Sequence, residues 1–274
     1  MPLTVVRPAA RGSRSFQAPL PRLILGGFAV FLAAACSGAG VGRAPLPPPP
    51  HPAVQGPAVA AIRRAGVLRV ASDLSYPGLA FREGEAAKGF EMDLASLLAA
   101  ALGVRLEVID TPRAAMHAGF ADADLLISEW TAEGAPGPTS TPYYAMRQAI
   151  LWREKPTPGG ALRNIHVAVQ ASSRGQAVAE QLGATLALVA YQPMEALGAV
   201  SRGDAQAAVA DLPLVAEYAR THPHLTMSRG SWAEVPLVVV GRTDAPDLLA
   251  FASAAIRELD QRGGLAQLRQ RWRF

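Results

Sequence analysis

This chain is poor in sulfur and in lysine, and one end of it has no carboxylates. Cys36 is the only cysteine among 274 residues, so no internal disulfide can form. Half of the residues are hydrophobic, which supplies a core for one large or two modest domains without covalent staples. Lysine occurs only at positions 88 and 155; we attribute the arginine excess to base composition rather than function. No Asp or Glu precedes residue 36, where Arg7, Arg11, Arg14 and Arg22 stand. The remaining 22 basic residues balance 22 acidic ones, so the rest of the chain has no electrostatic footprint for nucleic acid. The longest apolar run, residues 23–35, is too short to span a membrane. Phosphate-binding glycine loops, the Gly-x-Ser-x-Gly elbow and HExxH are absent. His117, His166, His222 and His224 have no metal-ligand spacing, and His222-Pro223-His224 reads as a surface turn.

Four arginines followed by LILGGFAVFLAAA read as a secretory signal peptide over residues 1–35. The stretch LAAACSG resembles a bacterial lipoprotein signal, which implies lipidation of Cys36 and a membrane anchor. Ala33 stands where such signals usually carry leucine, with Leu32 one place earlier. Plain signal cleavage, with Cys36 an inert thiol, is the alternative. Residues 36–57 contain no acid, few large apolar side chains and many prolines. They are expected to form a polyproline-like or disordered spacer between anchor and domain, with residues 45–52 spanning about 25 Å at ~3.1 Å per residue. A proline-rich ligand for another module is the second reading.

From residue 58 the chain alternates strand and helix. VLRVA (67–71) reads as a strand. GFEMDLASLLAAALG (89–103) reads as a helix, with Glu91 and Asp93 in its first turn and Gly103 at its end. The acids suit the positive end of the helix dipole, by roughly 0.3–1 kcal/mol each. Two positions apart, they point in different directions and do not share a site. Further strands are expected at 104–108, 124–128, 165–170, 185–190, 207–211 and 235–240. Helices are expected to end near Gly183 and Gly203 and to begin at Pro246. Repeated β-α units imply α/β sheets. Ligands bind at the C-terminal strand ends of such sheets, where Asp73, Ser128, Gln170 and Asp211 stand.

Seven segments, in order, resemble the family 3 extracellular solute-binding proteins, receptors of polar amino-acid ABC importers. They are IRRAGVLRVASDLSYPGLAF, GFEMDLASLLAAALGV, DADLLISEWT, STPYYAMRQAILW, HVAVQASSRGQAVAEQLG, GDAQAAVADLPLVAEYA and GGLAQLRQRW. The resemblance implies a two-lobed α/β fold of the periplasmic-binding-protein type II, hinged on two crossover strands. Lobe one would be 58–148 plus 237–274 and lobe two 149–236, with crossovers near 151–153 and 232–234. It implies a monomer, periplasmic or at the cell surface, with no cofactor and no metal, partnered by a small-molecule ligand and an importer permease.

The same resemblance assigns ligand contacts. Asp73 matches an acid that reads a ligand cation, and Tyr76 an aromatic that packs on its side chain. Ser128 and Thr131 match small polar contacts. Ser172 and Ser173 match a pair at a helix N-terminus suited to a carboxylate, and Asp211 the acid that pairs with an α-ammonium. Turn-capping and helix-capping are the plain alternatives for Asp73, Ser172, Ser173 and Asp211, and core packing is the alternative for Tyr76. The family's carboxylate-binding arginine has no counterpart in residues 133–138. Glu129 stands where a small residue is usual, and it either faces the cleft or points to solvent. Arg174 or Arg147 would then have to reach a ligand carboxylate. Asp73, Glu129 and Asp211 together favour a cationic ligand. A dehydratase-like enzyme or a ligand-sensing accessory protein on the same fold are the competing functions.

Overall fold

The structure, a computed structural model, describes residues 43–156, 161–230 and 232–274. The expected signal peptide, Cys36 and the first residues of the spacer lie outside the described residues. Residues 43–56 have no regular secondary structure, yet they do not form a free spacer. The Arg43 guanidinium stacks 3.4 Å from the Trp272 ring centroid and pairs with Glu217 at 3.0 Å. The His51 N–H donates to Glu258 at 2.9 Å, Arg262 donates to the Pro49 carbonyl at 3.2 Å, and Pro47 and Pro50 are buried. Protein donors and acceptors thus replace the water that a proline-rich linker would otherwise keep.

Helix α1 (Pro57–Ala65) leads into β1 (Val67–Ser72). A small antiparallel sheet follows, of β2 (Ser75–Tyr76), β3 (Ala80–Glu83) and β4 (Ala86–Lys88). Next come α2 (Phe90–Leu102), β5 (Arg105–Asp110), the short α3 (Arg113–Met116) and β6 (Leu125–Leu126). Gly103, left-handed at φ 75°, closes α2 as its position predicts. Strand β7 (Tyr144–Met146) then leaves this lobe. Lobe two holds β8 (Gln148–Trp152), β9 (His166–Gln170), α4 (Arg174–Gln181), β10 (Thr185–Ala190), α5 (Pro193–Arg202), β11 (Ala207–Asp211), α6 (Leu212–Thr221) and β12 (Thr226–Arg229). The chain returns through β13 (Val235–Leu237) and β14 (Val240–Gly241) to α7 (Pro246–Gln261) and α8 (Gly264–Trp272).

The lobe-one sheet has the order β14-β6-β1-β5, with β1 parallel to both neighbours. The lobe-two sheet runs β10-β9-β11-β8-β12. Its first three strands are parallel, and β8 is antiparallel to β11 and β12. Between the sheets β7 and β13 pair antiparallel, with Tyr144 opposite Leu237 and Met146 opposite Val235. This pair is the double crossing, which corrects two expectations. Residues 151–153 are not a crossover: Leu151 and Trp152 belong to β8, whose fully buried run serves the lobe-two core. The apolar stretch 235–240 is not one strand. It breaks after Leu237, where the Val238 N–H goes to the Trp130 carbonyl and the Val239 N–H to Ser140 Oγ.

Lobe one packs Leu68, Val70, Leu94 and Leu98 against Phe251 and Ile256 of α7. The lobe-two sheet is covered on both faces, by Leu197 and Val200 on one and Val178 on the other. Each such side chain contributes roughly 1.5–3 kcal/mol on burial. The two cores fix β1, β6, β9 and β11 so that their C-terminal ends carry the polar residues described next.

Candidate functional site: the cleft between the lobes

Lobe two offers a cavity of about 300 Å³, lined by Gln148, Gln170, Ser172, Ser173, Arg174 and Asp211 among others. Asp211 ends β11, and Arg174 opens α4 beside it, 3.7 Å from the Asp211 carboxylate. Gly175 lets α4 sit this close to the sheet, since a Cβ there would come 2.5 Å from the Val209 carbonyl. Ser173 caps α4: its hydroxyl accepts from the Gln176 N–H at 3.1 Å and donates to the Gln170 carbonyl at 2.7 Å. Ser172 is left-handed at φ 54°, and its N–H donates to Gln176 Oε1 at 2.9 Å. The first-turn amides of Arg174 and Gly175 have no intrahelical acceptor. With the helix dipole and the guanidinium they form a positive corner for an anionic oxygen. Asp211 supplies the negative counterpart a few ångströms away.

From lobe one, the Tyr76 hydroxyl donates to Asp211 at 2.5 Å across the cleft. Gln148 donates to the other Asp211 oxygen. Burial, reinforced by the Asp211 and Glu129 charges, holds the Tyr76 phenol well above its ordinary pKa, so it stays a donor. Asp73 closes its own loop. Its oxygens accept from the Ser75 N–H at 3.1 Å and the Arg113 N–H at 2.9 Å. Burial alone would raise its pKa, but hydrogen bonds from Ser75 and Arg113 hold it below the usual value. Ser128 is fully buried and accepts from the Asp73 N–H at 3.2 Å. Thr131 accepts from the Gly134 N–H at 3.2 Å, within its own turn. Glu129 is left-handed at φ 47°, with its side chain 14% exposed. Burial, then the charge of Glu91, pushes its carboxyl well above the carboxylate range. Arg147, the other candidate for a carboxylate, pairs with Glu234 at 2.8 Å and does not line this cavity.

The structure thus brings Tyr76, Arg174 and Asp211 into contact and sets Ser172 and Ser173 around the same cavity. Asp73, Ser128, Glu129 and Thr131 lie in lobe-one loops and do not line this cavity. Two residues were missed from sequence. Arg113 donates to the carbonyls of Ser128 and Glu129 at 3.1 Å each and lies 3.4 Å from the Glu129 carboxylate. Its guanidinium also covers Trp130, 4.4 Å from the ring centroid. Glu91 is 0% exposed and accepts from the Glu129 N–H at 2.8 Å and from the Tyr143 hydroxyl. Asp93 instead holds Arg271 and Trp272 at 2.8 and 2.7 Å, so the two acids of α2 do point to different places. Nothing local marks Glu91 as a neighbour of the cleft, because its partners lie 38 and 52 residues away.

The family model for bacterial extracellular solute-binding proteins, family 3, matches residues 68–274. No curated protein is detectably similar in sequence. Among solved structures, an ancestral cationic amino acid solute-binding protein, AncCDT-1, matches with a TM-score of 0.67 and 25% identity. The match covers 79% of this chain and 99% of that one. A second structure of that protein, described as a precursor of cyclohexadienyl dehydratase, matches with a TM-score of 0.59, 25% identity and the same coverage. A variant of ArgBP from T. maritima matches with a TM-score of 0.56 and 27% identity, over 79% of this chain and 99% of that one. A putative ABC-transporter binding component from Wolinella succinogenes, complexed with lysine, has the same fold. Its TM-score is 0.59 at 22% identity, over 76% of this chain and 95% of that one.

Proposed function

Because the chain belongs to the bacterial extracellular solute-binding proteins of family 3, we propose that it is an extracytoplasmic receptor that closes its lobes on a cationic, amino-acid-like solute and hands it to an ABC importer. One observation carries this reading: Arg174 and the α4 N-terminus stand beside Asp211 in one cavity, and Tyr76 of the other lobe bonds that same Asp211. That spacing fits a zwitterion. The carboxylate takes the positive corner, in place of the family arginine absent from residues 133–138. The α-ammonium takes Asp211. The ligand side chain then points to the lobe-one loops, where the Asp73 carboxylate, and Glu129 once it has lost its proton, favour a cation. The cationic amino acid named for AncCDT-1 and the arginine-bound form recorded for ArgBP agree with that choice. In this reading residues 1–35 are a cleaved signal peptide and Cys36 carries the lipid, so the receptor works as a tethered monomer outside the cytoplasm.

A thermal-shift series with L-arginine, L-lysine, polyamines, glutamate and aspartate tests the reading. Ligand at a hundredfold excess over Kd stabilises the folded state by about 2.7 kcal/mol. Basic amino acids should raise the melting temperature and acidic ones should not. Stabilisation by glutamate or aspartate alone would sink the assignment.

A dehydratase-like activity is the second reading. It is favoured by Glu129, whose carboxyl pKa burial raises, with Arg113 3.4 Å away as a cation for an anionic substrate. Incubation with a cyclohexadienyl acid, followed by NMR for the aromatic product, separates the two.

A further inference from the structure

Two buried acidic residues meet in lobe one, where the Glu129 N–H donates to the Glu91 carboxyl at 2.8 Å and the Glu91 charge bears on the Glu129 carboxyl. One Glu91 oxygen, Oε1, accepts from Tyr143 and from the Glu129 N–H, while Oε2 is buried with no partner among the described residues. Glu129 repeats the pattern: Oε2 lies 3.4 Å from Arg113, and Oε1 is buried with no partner among the described residues. A buried carboxylate oxygen without a donor is costly, and a proton on the carboxyl removes the charge, which is the larger part of that cost. Burial raises the pKa of Glu91 and, with the Glu91 charge, that of Glu129. The surrounding groups do not supply a second cation. Arg113 comes from α3, Asp73 from the β1–β2 loop, Tyr76 from β2, Asp211 from β11, and Tyr143 from the segment before β7. His117 packs edge-on against Trp130, 4.9 Å between ring centroids, with no contact to either carboxyl. The Arg113 Nη1 that reaches Glu129 is already shared with two carbonyls.

We infer that Glu91 and Glu129 form a proton-holding pair that gives up one proton when the cationic end of a ligand arrives beside Glu129. The inference rests on the receptor reading above. The step balances simply. The Glu129 O–H bond breaks, the proton passes to buffer, and the ligand cation replaces its charge against the new carboxylate. No bond to the ligand forms. A neutral side chain has no cation to exchange, so it leaves the proton in place. Affinity for a basic ligand should therefore rise about tenfold per pH unit while one proton is released, and affinity for a neutral one should stay flat.

Calorimetry with L-arginine at a series of pH values from the ordinary carboxylate range upward, in pairs of buffers with unequal ionisation heats, reads the exchange directly. The wild type should show buffer-dependent heats that peak at about one proton released at pH values below the raised Glu129 pKa, and Glu129→Gln should show none at any pH. Arginine binding with buffer-independent heat would overturn the exchange and leave the receptor reading intact. No heat with arginine or lysine would sink the ligand reading and the exchange with it. A ligand-free measurement decides on the pair itself. A carboxyl with a raised folded-state pKa binds more protons when folded, so stability falls as pH rises from the ordinary carboxylate range through the folded value. Urea midpoints should fall with pH in the wild type and fall less in Glu129→Gln. Parallel curves would overturn the proton-holding pair.

Discussion

Replacing Asp211 with asparagine removes one negative charge from the cavity and almost nothing else. Asparagine keeps the size and one acceptor oxygen, which can still take the Tyr76 proton now donated at 2.5 Å. Its new amide would face the Gln148 amide that donates to Asp211. Gln148 can turn over, because its Oε1 is buried without a partner among the described residues and would accept from asparagine. The fold should therefore lose no more than ~1 kcal/mol, one ordinary hydrogen bond. Ligand binding loses more. Removing one partner of a desolvated charge pair costs roughly 2–5 kcal/mol. The low end applies here, because Arg174 at 3.7 Å offsets part of the Asp211 charge and the side chain is 21% exposed. We expect a loss of about 2–3 kcal/mol, or roughly 30- to 150-fold in Kd for L-arginine. Calorimetry gives the Kd, and a urea melt of the ligand-free variant checks that the fold is intact. A Kd within threefold of wild type, with the melt unchanged, would show that Asp211 does not read the ammonium and that the cavity is oriented differently.

Two further outcomes follow from the sequence motifs. Gly89→Ala should destabilise the protein by ~3 kcal/mol or more, read as a lower urea midpoint. Gly89 has φ 136°, and a Cβ there would overlap the Leu79 carbonyl, so both backbone strain and a clash oppose it. An unchanged midpoint would mean that the entry to α2 is built differently. Cys36→Ala should release the protein from the membrane fraction or block its processing, since stable anchoring needs lipid. Unchanged fractionation and mature mass would refute the lipoprotein reading.

Much of the architecture is legible in the order of residues. Pro57, Pro193 and Pro246 each open a helix and Gly66, Gly103 and Gly203 each close one, because fixed φ and left-handed φ are properties of single residues. The strands at 185–190 and 207–211 fall where their β-rich runs stand between such marks. Asp211 and Arg174 could be singled out because strand ends and helix starts are local features.

The rest depends on partners distant in sequence. Periodicity reports that residues 235–240 are buried, not that two sheets divide them; pairing with Ala145 and with Leu126 decides that. The proline-rich segment reads as a free spacer because its own side chains bury little. Its attachment comes from Trp272, Glu217 and Glu258, more than 170 residues away. Glu91 reads as a helix-start acid, and it is one; only the fold places Glu129 and Tyr143 against it. Tyr76 and Asp211 lie 135 residues apart, and their contact exists only where the lobes meet. Local sequence sets backbone conformation and which face is buried. The environment of a charge, and so its protonation and its use, is set by groups that chain folding brings within hydrogen-bonding distance.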